Sequence, residues 1–94
     1  MDAEGWNFAR GQALLIAESG NLLMLRPPRN SGQDSWMKAA TELRESAGAY
    51  ARTLAALDLE RSRTGLNQLA TSCNNCHQAF NVKTRVTAFA AAGP

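Results

Sequence analysis

Two cysteines and the single histidine of the chain lie within five residues, as Cys73-Asn74-Asn75-Cys76-His77. On a helix, positions i, i+3 and i+4 share one face, so both thiols and the imidazole point to the same side. Two thiols one turn apart can each form a thioether with a porphyrin vinyl group, and the imidazole beside them can ligate the iron. Cys-x-x-Cys-His is the attachment signature of c-type haem. The spacing therefore predicts one covalent haem c on Cys73 and Cys76, with His77 as an axial ligand.

Other chemistries of a Cys-x-x-Cys pair fit this sequence less well. A structural zinc site needs four ligands, and His77, directly beside Cys76, is poorly placed to join both cysteines on one tetrahedral ion. A thioredoxin-like redox site would lie in a βαβ unit, and the sequence has no strand pattern. A disulfide between Cys73 and Cys76 within a helix would be strained. The motif therefore favours haem.

Length and composition indicate one small helical domain, residues 1–94. Ninety-four residues bury a marginal core, and an apolar fraction of 45% is typical of a globular chain. Alanine is common and β-branched residues are few, which favours helices. The net charge is only +2 and the basic residues are scattered, so nothing indicates nucleic-acid binding. The longest apolar runs are far shorter than the ~20 residues of a membrane-spanning helix.

Apolar periodicity predicts three helices. The first covers residues 3–25, and Pro27-Pro28 end it at the start of a loop over residues 26–33. The second runs to residue 57 from an N-cap at Asp34 or Ser35. The third covers residues 59–91 after a cap at Asp58 and carries the Cys-x-x-Cys-His motif. The turn between the last two is short, so the predicted fold is all-α, an antiparallel up-down helical bundle of three main helices.

The chain resembles the class II c-type cytochromes, the family of cytochrome c′ and cytochrome c-556. That family carries the motif near its C-terminus, on the last helix of a four-helix bundle. Residues 66–80 resemble that helix and end in an aromatic residue three positions after His77, as in the family. Residues 36–58 resemble the third family helix and residues 8–14 the first. The loop over residues 26–33 is too short for the second helix, so the resemblance implies a four-helix bundle lacking one helix.

The resemblance also implies roles for residues of the first helix. Arg10 would lie near a haem propionate, and Leu14 would occupy the distal position over the iron. A leucine there implies five-coordinate iron with a crowded apolar sixth site, as in cytochrome c′, whereas a methionine would imply the six-coordinate iron of cytochrome c-556. From the residues alone, the sixth ligand is Met24, Met37 or none.

Further haem contacts are expected on the two later helices. Phe80 follows His77 by about one turn, Leu69 shares the face of Cys73, and Tyr50 is a candidate on the second helix. Trp36 and Phe89 are interpreted as ordinary core residues.

The functional expectation is a monohaem electron-transfer cytochrome with redox proteins as partners. A five-coordinate protein that binds NO or CO, or one haem domain of a larger redox protein, are the alternatives. No nucleophile or general-base set is recognisable, so an enzyme is not expected. Haem is attached to such proteins outside the cytoplasm, and residues 1–4 lack the features of a signal peptide, so a leader is expected to have been removed.

The oligomeric state is predicted from the missing helix. A three-helix version of the family fold would leave apolar surface uncovered, and a homodimer through the first helix would cover it. A neighbouring domain of a longer protein would do the same.

Overall fold

The structure is a computed structural model that describes residues 2–88. It contains three α-helices, α1 (Ala3–Met24), α2 (Gln33–Ala55) and α3 (Leu59–Ala79), and no strand within the described residues. The all-α, three-helix prediction is therefore confirmed. Within the same residues, none of the helices has the length and hydropathy needed to cross a membrane.

Local capping explains where α1 begins and ends. The Asp2 carboxylate accepts a hydrogen bond from the Gly5 backbone N–H at 2.8 Å, which satisfies one of the free donors of the first turn. The helix ends at Met24, and Pro27-Pro28 follow in the loop. The predicted bounds of this helix are confirmed to within one residue.

The start of α2 differs from the prediction. Its N-cap is Gly32, which has a φ of +81° and supplies no side-chain cap, so the predicted cap at Asp34 or Ser35 is wrong. Glycine reaches this left-handed conformation without steric cost, and its carbonyl accepts from the Trp36 N–H at 2.8 Å. Asp34 instead lies in the first turn, where its negative charge is favourable to the helix dipole.

The end of α3 also differs. Asp58 caps its start as predicted, accepting from the Arg61 N–H at 2.9 Å. The helix then ends at Ala79, so the predicted continuation to residue 91 is wrong; residues 89–91 lie outside the described residues. Asn81 adopts the left-handed conformation with a φ of +61°, and the Val82 N–H donates to the His77 carbonyl at 2.7 Å. This is a Schellman C-cap, which reverses the chain.

The middle helix α2 is the one on which the other two helices pack. Both α1 and α3 pack on α2, whereas no Cα atoms of α1 and α3 lie within 8 Å of each other. Gly20 of α1 lies against Ala40 of α2, and Gly65 of α3 lies against Tyr50 of α2. The result is an open layer of 47 × 29 × 16 Å.

Small residues make up most of the core. Ala13, Ala51 and Leu54 form its centre, and Trp6, Ala9 and Tyr50 pack against them. No large side chain within the described residues is fully buried. Alanine brings helices close together but removes little apolar area from water, so this core stabilises the fold less than one built of larger side chains.

The contact at Gly20 is tight enough to test. A Cβ atom placed there would lie 2.9 Å from the Ala40 carbonyl oxygen, whereas a Cβ on Gly11 would meet nothing within 4 Å. We therefore expect Gly20→Ala to destabilise the protein by about 1–3 kcal/mol through overpacking. The matched change Gly11→Ala should stabilise it by about 0.5–1 kcal/mol, because alanine favours a helix. Urea unfolding followed by circular dichroism measures both, and equal effects of the two substitutions would contradict this packing.

Candidate haem site

The cysteines and the histidine of the motif line one cavity. It has a volume of about 210 Å³ and lies at the end of the layer where α3 finishes. Cys73, Cys76 and His77 lie one turn apart or less on α3, so the helix presents all three side chains to this cavity. Two thiols and an imidazole therefore meet in one partly open cavity.

The remaining walls of the cavity are mainly apolar and come from every helix. Leu23 contributes from α1, Trp36 and Leu43 from α2, and Phe80 and Val82 from the end of α3 and the residues after it. None of the described residues of this wall has an acidic or basic side chain. The cavity therefore suits an apolar group better than a hydrated ion.

Trp36 joins the ends of all three helices at this cavity. Its indole Nε1–H donates to the backbone carbonyl of Leu23 at 2.6 Å, which ties α2 to the last turn of α1. Its ring packs edge-to-face on Phe80, the C-cap of α3, with ring centroids 5.0 Å apart at 80°. A half-buried indole with a satisfied N–H and an aromatic neighbour is a rigid anchor. The shape of the cavity therefore depends on this side chain.

The imidazole of His77 is oriented by a backbone carbonyl. Its Nδ1 lies 2.9 Å from the carbonyl oxygen of Thr84. A carbonyl oxygen only accepts hydrogen bonds, so Nδ1 carries the proton, and in the neutral ring Nε2 keeps a free lone pair. Histidines that ligate metals are commonly held in this way, with the other ring N–H donating to a carbonyl. Nε2 is thus the atom of His77 that can act as a ligand.

The Thr84 carbonyl is positioned by Asn74, the first of the two residues between the cysteines. The Asn74 side chain donates to the Val86 carbonyl at 2.8 Å and accepts from the Val86 N–H at 2.7 Å. Arg85 adds bonds to the carbonyls of Val82 at 2.6 Å and Thr84 at 3.0 Å. The segment after the chain reversal at Asn81 is therefore fastened to α3 at two points one turn apart, His77 and Asn74.

The two thiols are uncharged at neutral pH. Burial raises the pKa of Cys73, the neighbouring Cys76 raises it further, and a backbone hydrogen bond acts in the opposite direction. Burial also raises the pKa of Cys76. An activated redox cysteine needs a lowered pKa, so the environment disfavours a thioredoxin-like reaction. No group of three or more His, Cys, Asp or Glu side chains that could hold a metal ion occurs in residues 2–88.

Phe80 is the further predicted contact that the structure places in the cavity. The others lie elsewhere. Leu69 is buried, at 3% exposure, without lining the cavity, and Tyr50 lines a second cavity of about 140 Å³ together with Trp6 and Leu66. These two side chains support the packing of α2 against its neighbours.

The predicted residues of α1 do not line the cavity either. Arg10 is exposed, Leu14 is 50% exposed, and Met24 is half-buried away from the cavity wall. The reason is helical geometry, because α1 turns the face of Leu23 to the cavity. Leu14 lies nine residues before Leu23, or about two and a half turns, and therefore points to the opposite side of α1.

Sequence reasoning missed several wall residues. Trp36 was expected in the general core, although Leu43, seven residues later, shares its face and marked the same side of α2. Leu23 belongs to the apolar stripe of α1, and this position in the stripe indicated that its side chain is at least partly buried. The Thr84 carbonyl, which lies outside this wall and bonds to His77, had no sequence signal, because its position depends on the chain reversal at Asn81.

Comparisons with known proteins gave no match to this chain. No protein-family model fits the sequence, and neither a curated protein nor a solved structure matches it. The function is therefore inferred from the cavity and from the side chains that line it.

The hydrogen bonds of Asn74 predict a measurable difference between two adjacent asparagines. Asn74→Ala removes both bonds to Val86. We expect the Val86 amide to exchange with solvent roughly tenfold faster, since a hydrogen bond contributes about 1 kcal/mol. Asn75→Ala is the control, because Asn75 is exposed and its side chain makes no hydrogen bond within residues 2–88. Hydrogen exchange measured by NMR distinguishes the two, and equal rates in both variants would show that Asn74 does not hold the segment.

Proposed function

We propose that this protein is a monohaem c-type cytochrome whose haem is attached to Cys73 and Cys76 and whose iron is ligated by Nε2 of His77. The observation that carries the proposal is that both thiols and the imidazole of the motif line one apolar cavity. A bound haem would supply one-electron chemistry between ferric and ferrous iron. The chain itself would bind the porphyrin, orient His77 as a ligand and keep water from one face of the porphyrin. Its role would be electron transfer rather than catalysis.

The residues of the cavity fit such a group chemically. The thiols are uncharged and available for thioether formation, and the bond from His77 Nδ1 to Thr84 leaves Nε2 free. The volume of about 210 Å³ is below the roughly 300–1,000 Å³ of most cofactor pockets. A porphyrin would therefore widen the cavity or keep one edge in solvent. An exposed edge is where a redox partner protein would approach.

A second candidate function, the binding of NO or CO, is favoured by the composition of the cavity wall. Apart from His77, the described residues that line the cavity include no methionine, histidine or tyrosine, the usual further haem ligands. Met24 and Met37 both lie outside this wall. The sixth coordination position of the iron would then be open to a small ligand. The apolar side chains around it suit an uncharged diatomic gas.

The compartment follows from the proposed chemistry. The family that the chain resembles receives its haem outside the cytoplasm, so we propose a periplasmic or otherwise extracytoplasmic location. Redox proteins of that compartment would be its electron partners.

Mass spectrometry tests the proposed attachment. When the chain is matured in cells with a c-type haem attachment system, we expect its mass to increase by one haem that resists extraction with acidified organic solvent. Cys73→Ser and Cys76→Ser combined should abolish covalent attachment, because both thioethers are lost. Ser72→Ala is the control, because Ser72 also lines the cavity but would form no thioether. This variant should retain covalent attachment of the haem. A native chain without added haem, or a double serine variant that still carries it, would contradict the proposal.

The absorption spectrum of the matured ferrous protein distinguishes the two functions. With an open sixth position, we expect a high-spin spectrum that shifts on addition of CO, because CO binds vacant ferrous iron. A sharp low-spin α-band that CO does not change would show a second protein ligand and would leave electron transfer alone. His77→Ala should alter either spectrum, since it removes the axial bond.

A further inference from the structure

The second cavity, which Tyr50 lines, lies at the end of the layer opposite to the candidate haem site. Its volume is about 140 Å³. Its lining residues come from all three helices and are Trp6 of α1, Tyr50 and Leu54 of α2, and Leu59, Ser62, Arg63 and Leu66 of α3. Because α3 begins at Leu59, the cavity lies at the start of this helix, whereas the Cys-x-x-Cys-His motif lies at its end.

The size and the apolar part of this cavity suit one aromatic ring. Leu54, which is 2% exposed, and Leu66 contribute aliphatic surface, and Trp6 and Tyr50 contribute aromatic surface. An apolar cavity of roughly 150 Å³ in a protein core binds benzene, so this volume of about 140 Å³ accommodates a single six-membered ring.

The polar groups around the cavity are mainly hydrogen-bond donors. The indole Nε1–H of Trp6 only donates, and the guanidinium of Arg63 has five N–H groups and no acceptor. Within residues 2–88 neither side chain makes a hydrogen bond or an ion pair. Burial raises the pKa of Tyr50, so its hydroxyl stays protonated and can also donate. No acidic side chain is among the described residues that line the cavity, so the complementary ligand carries negatively charged acceptors.

We propose that the second cavity binds an aromatic monocarboxylate, a planar ring that bears one carboxylate group. The ring occupies the space between Trp6, Leu54 and Leu66, and the carboxylate lies at the open side of the cavity beside Arg63. Guanidinium groups bind carboxylates through two parallel hydrogen bonds, and a carboxylate only accepts. A cationic ligand would instead meet the charge of Arg63. This site does not depend on the proposed haem.

A ligand in this cavity would contact the two outer helices at once. No Cα atoms of α1 and α3 lie within 8 Å of each other, yet Trp6 and Arg63 line the same cavity. A ring between them fills part of the gap that the open layer leaves. Since only the folded chain brings these side chains together, binding stabilises the three-helix arrangement by mass action.

Benzoate and its uncharged analogue benzamide test the chemical class of the ligand on the full, matured chain. By isothermal titration calorimetry we expect benzoate to bind with a dissociation constant of about 1 mM or tighter. Benzamide should bind at least ~5-fold more weakly, because it lacks the charge-assisted bond to Arg63. Equal affinities of the two compounds, or no benzoate binding at about 10 mM, would overturn the proposal.

The two tryptophans report where benzoate binds. In NMR spectra of the full chain the indole N–H signal of Trp6 should shift on titration with benzoate. The indole N–H of Trp36 should keep its position, because it donates to the Leu23 carbonyl at the candidate haem site. A shift of the Trp36 signal without one of the Trp6 signal would place the ligand in the other cavity and contradict the assignment.

Substitution of one arginine tests the carboxylate contact. Arg63→Gln should weaken benzoate binding at least ~5-fold and leave benzamide binding unchanged, because only the charged contact is lost. Arg52→Gln is the matched control, since Arg52 is also exposed but does not line the cavity, and it should bind benzoate as the native chain does. Circular dichroism checks that both variants keep the fold. Native affinity in Arg63→Gln, or an equal loss in Arg52→Gln, would refute the role of Arg63.

Discussion

The backbones of the two outer helices pack on the middle one, with no Cα atoms of α1 and α3 within 8 Å of each other, and most features of this protein depend on that constraint. Small residues at the contacts, such as Gly20 against Ala40, let the backbones of α1 and α2 approach closely. They also leave little apolar volume to bury, so the helices form an open layer 16 Å thick. A layer cannot enclose the large apolar side chains on its outer faces. Both the cavity at the end of α3 and the exposed apolar side chains of α1, such as Phe8, Leu15 and Leu22, follow from this geometry.

The cavity is completed by a change in chain direction. Asn81 adopts a left-handed conformation, α3 stops, and the following residues run back along it. The Thr84 carbonyl thereby reaches Nδ1 of His77, and Asn74 fastens the same segment one turn earlier. A histidine at a frayed helix end would rotate freely. Here the hydrogen bond from Nδ1 to the Thr84 carbonyl orients the ring and leaves Nε2 as the free atom.

The proposed haem and the homodimer expected from the sequence have a common physical origin. A core whose centre is Ala13, Ala51 and Leu54 provides modest stabilisation for three long helices. A bulky apolar cofactor in the cavity and a partner on α1 would each remove further apolar surface from water. Ligands that bind only the folded chain stabilise it by mass action. The same side chains would therefore contribute both to function and to the stability of the fold.

The amino-acid sequence by itself determined the local features of this protein. Helical periodicity located three helices, and Asp58 was identified as a cap. The spacing of Cys73, Cys76 and His77 placed these side chains on one helix face. Each of these features depends only on residues within a few positions of one another. The haem assignment stays a prediction that rests on this spacing. Tertiary structure decided what lies opposite the motif. Leu23 and Trp36 line the cavity, whereas Arg10 and Leu14 do not, because the rotation of α1 is set by packing between distant segments. The Thr84 carbonyl reaches Nδ1 of His77 through the chain reversal at Asn81.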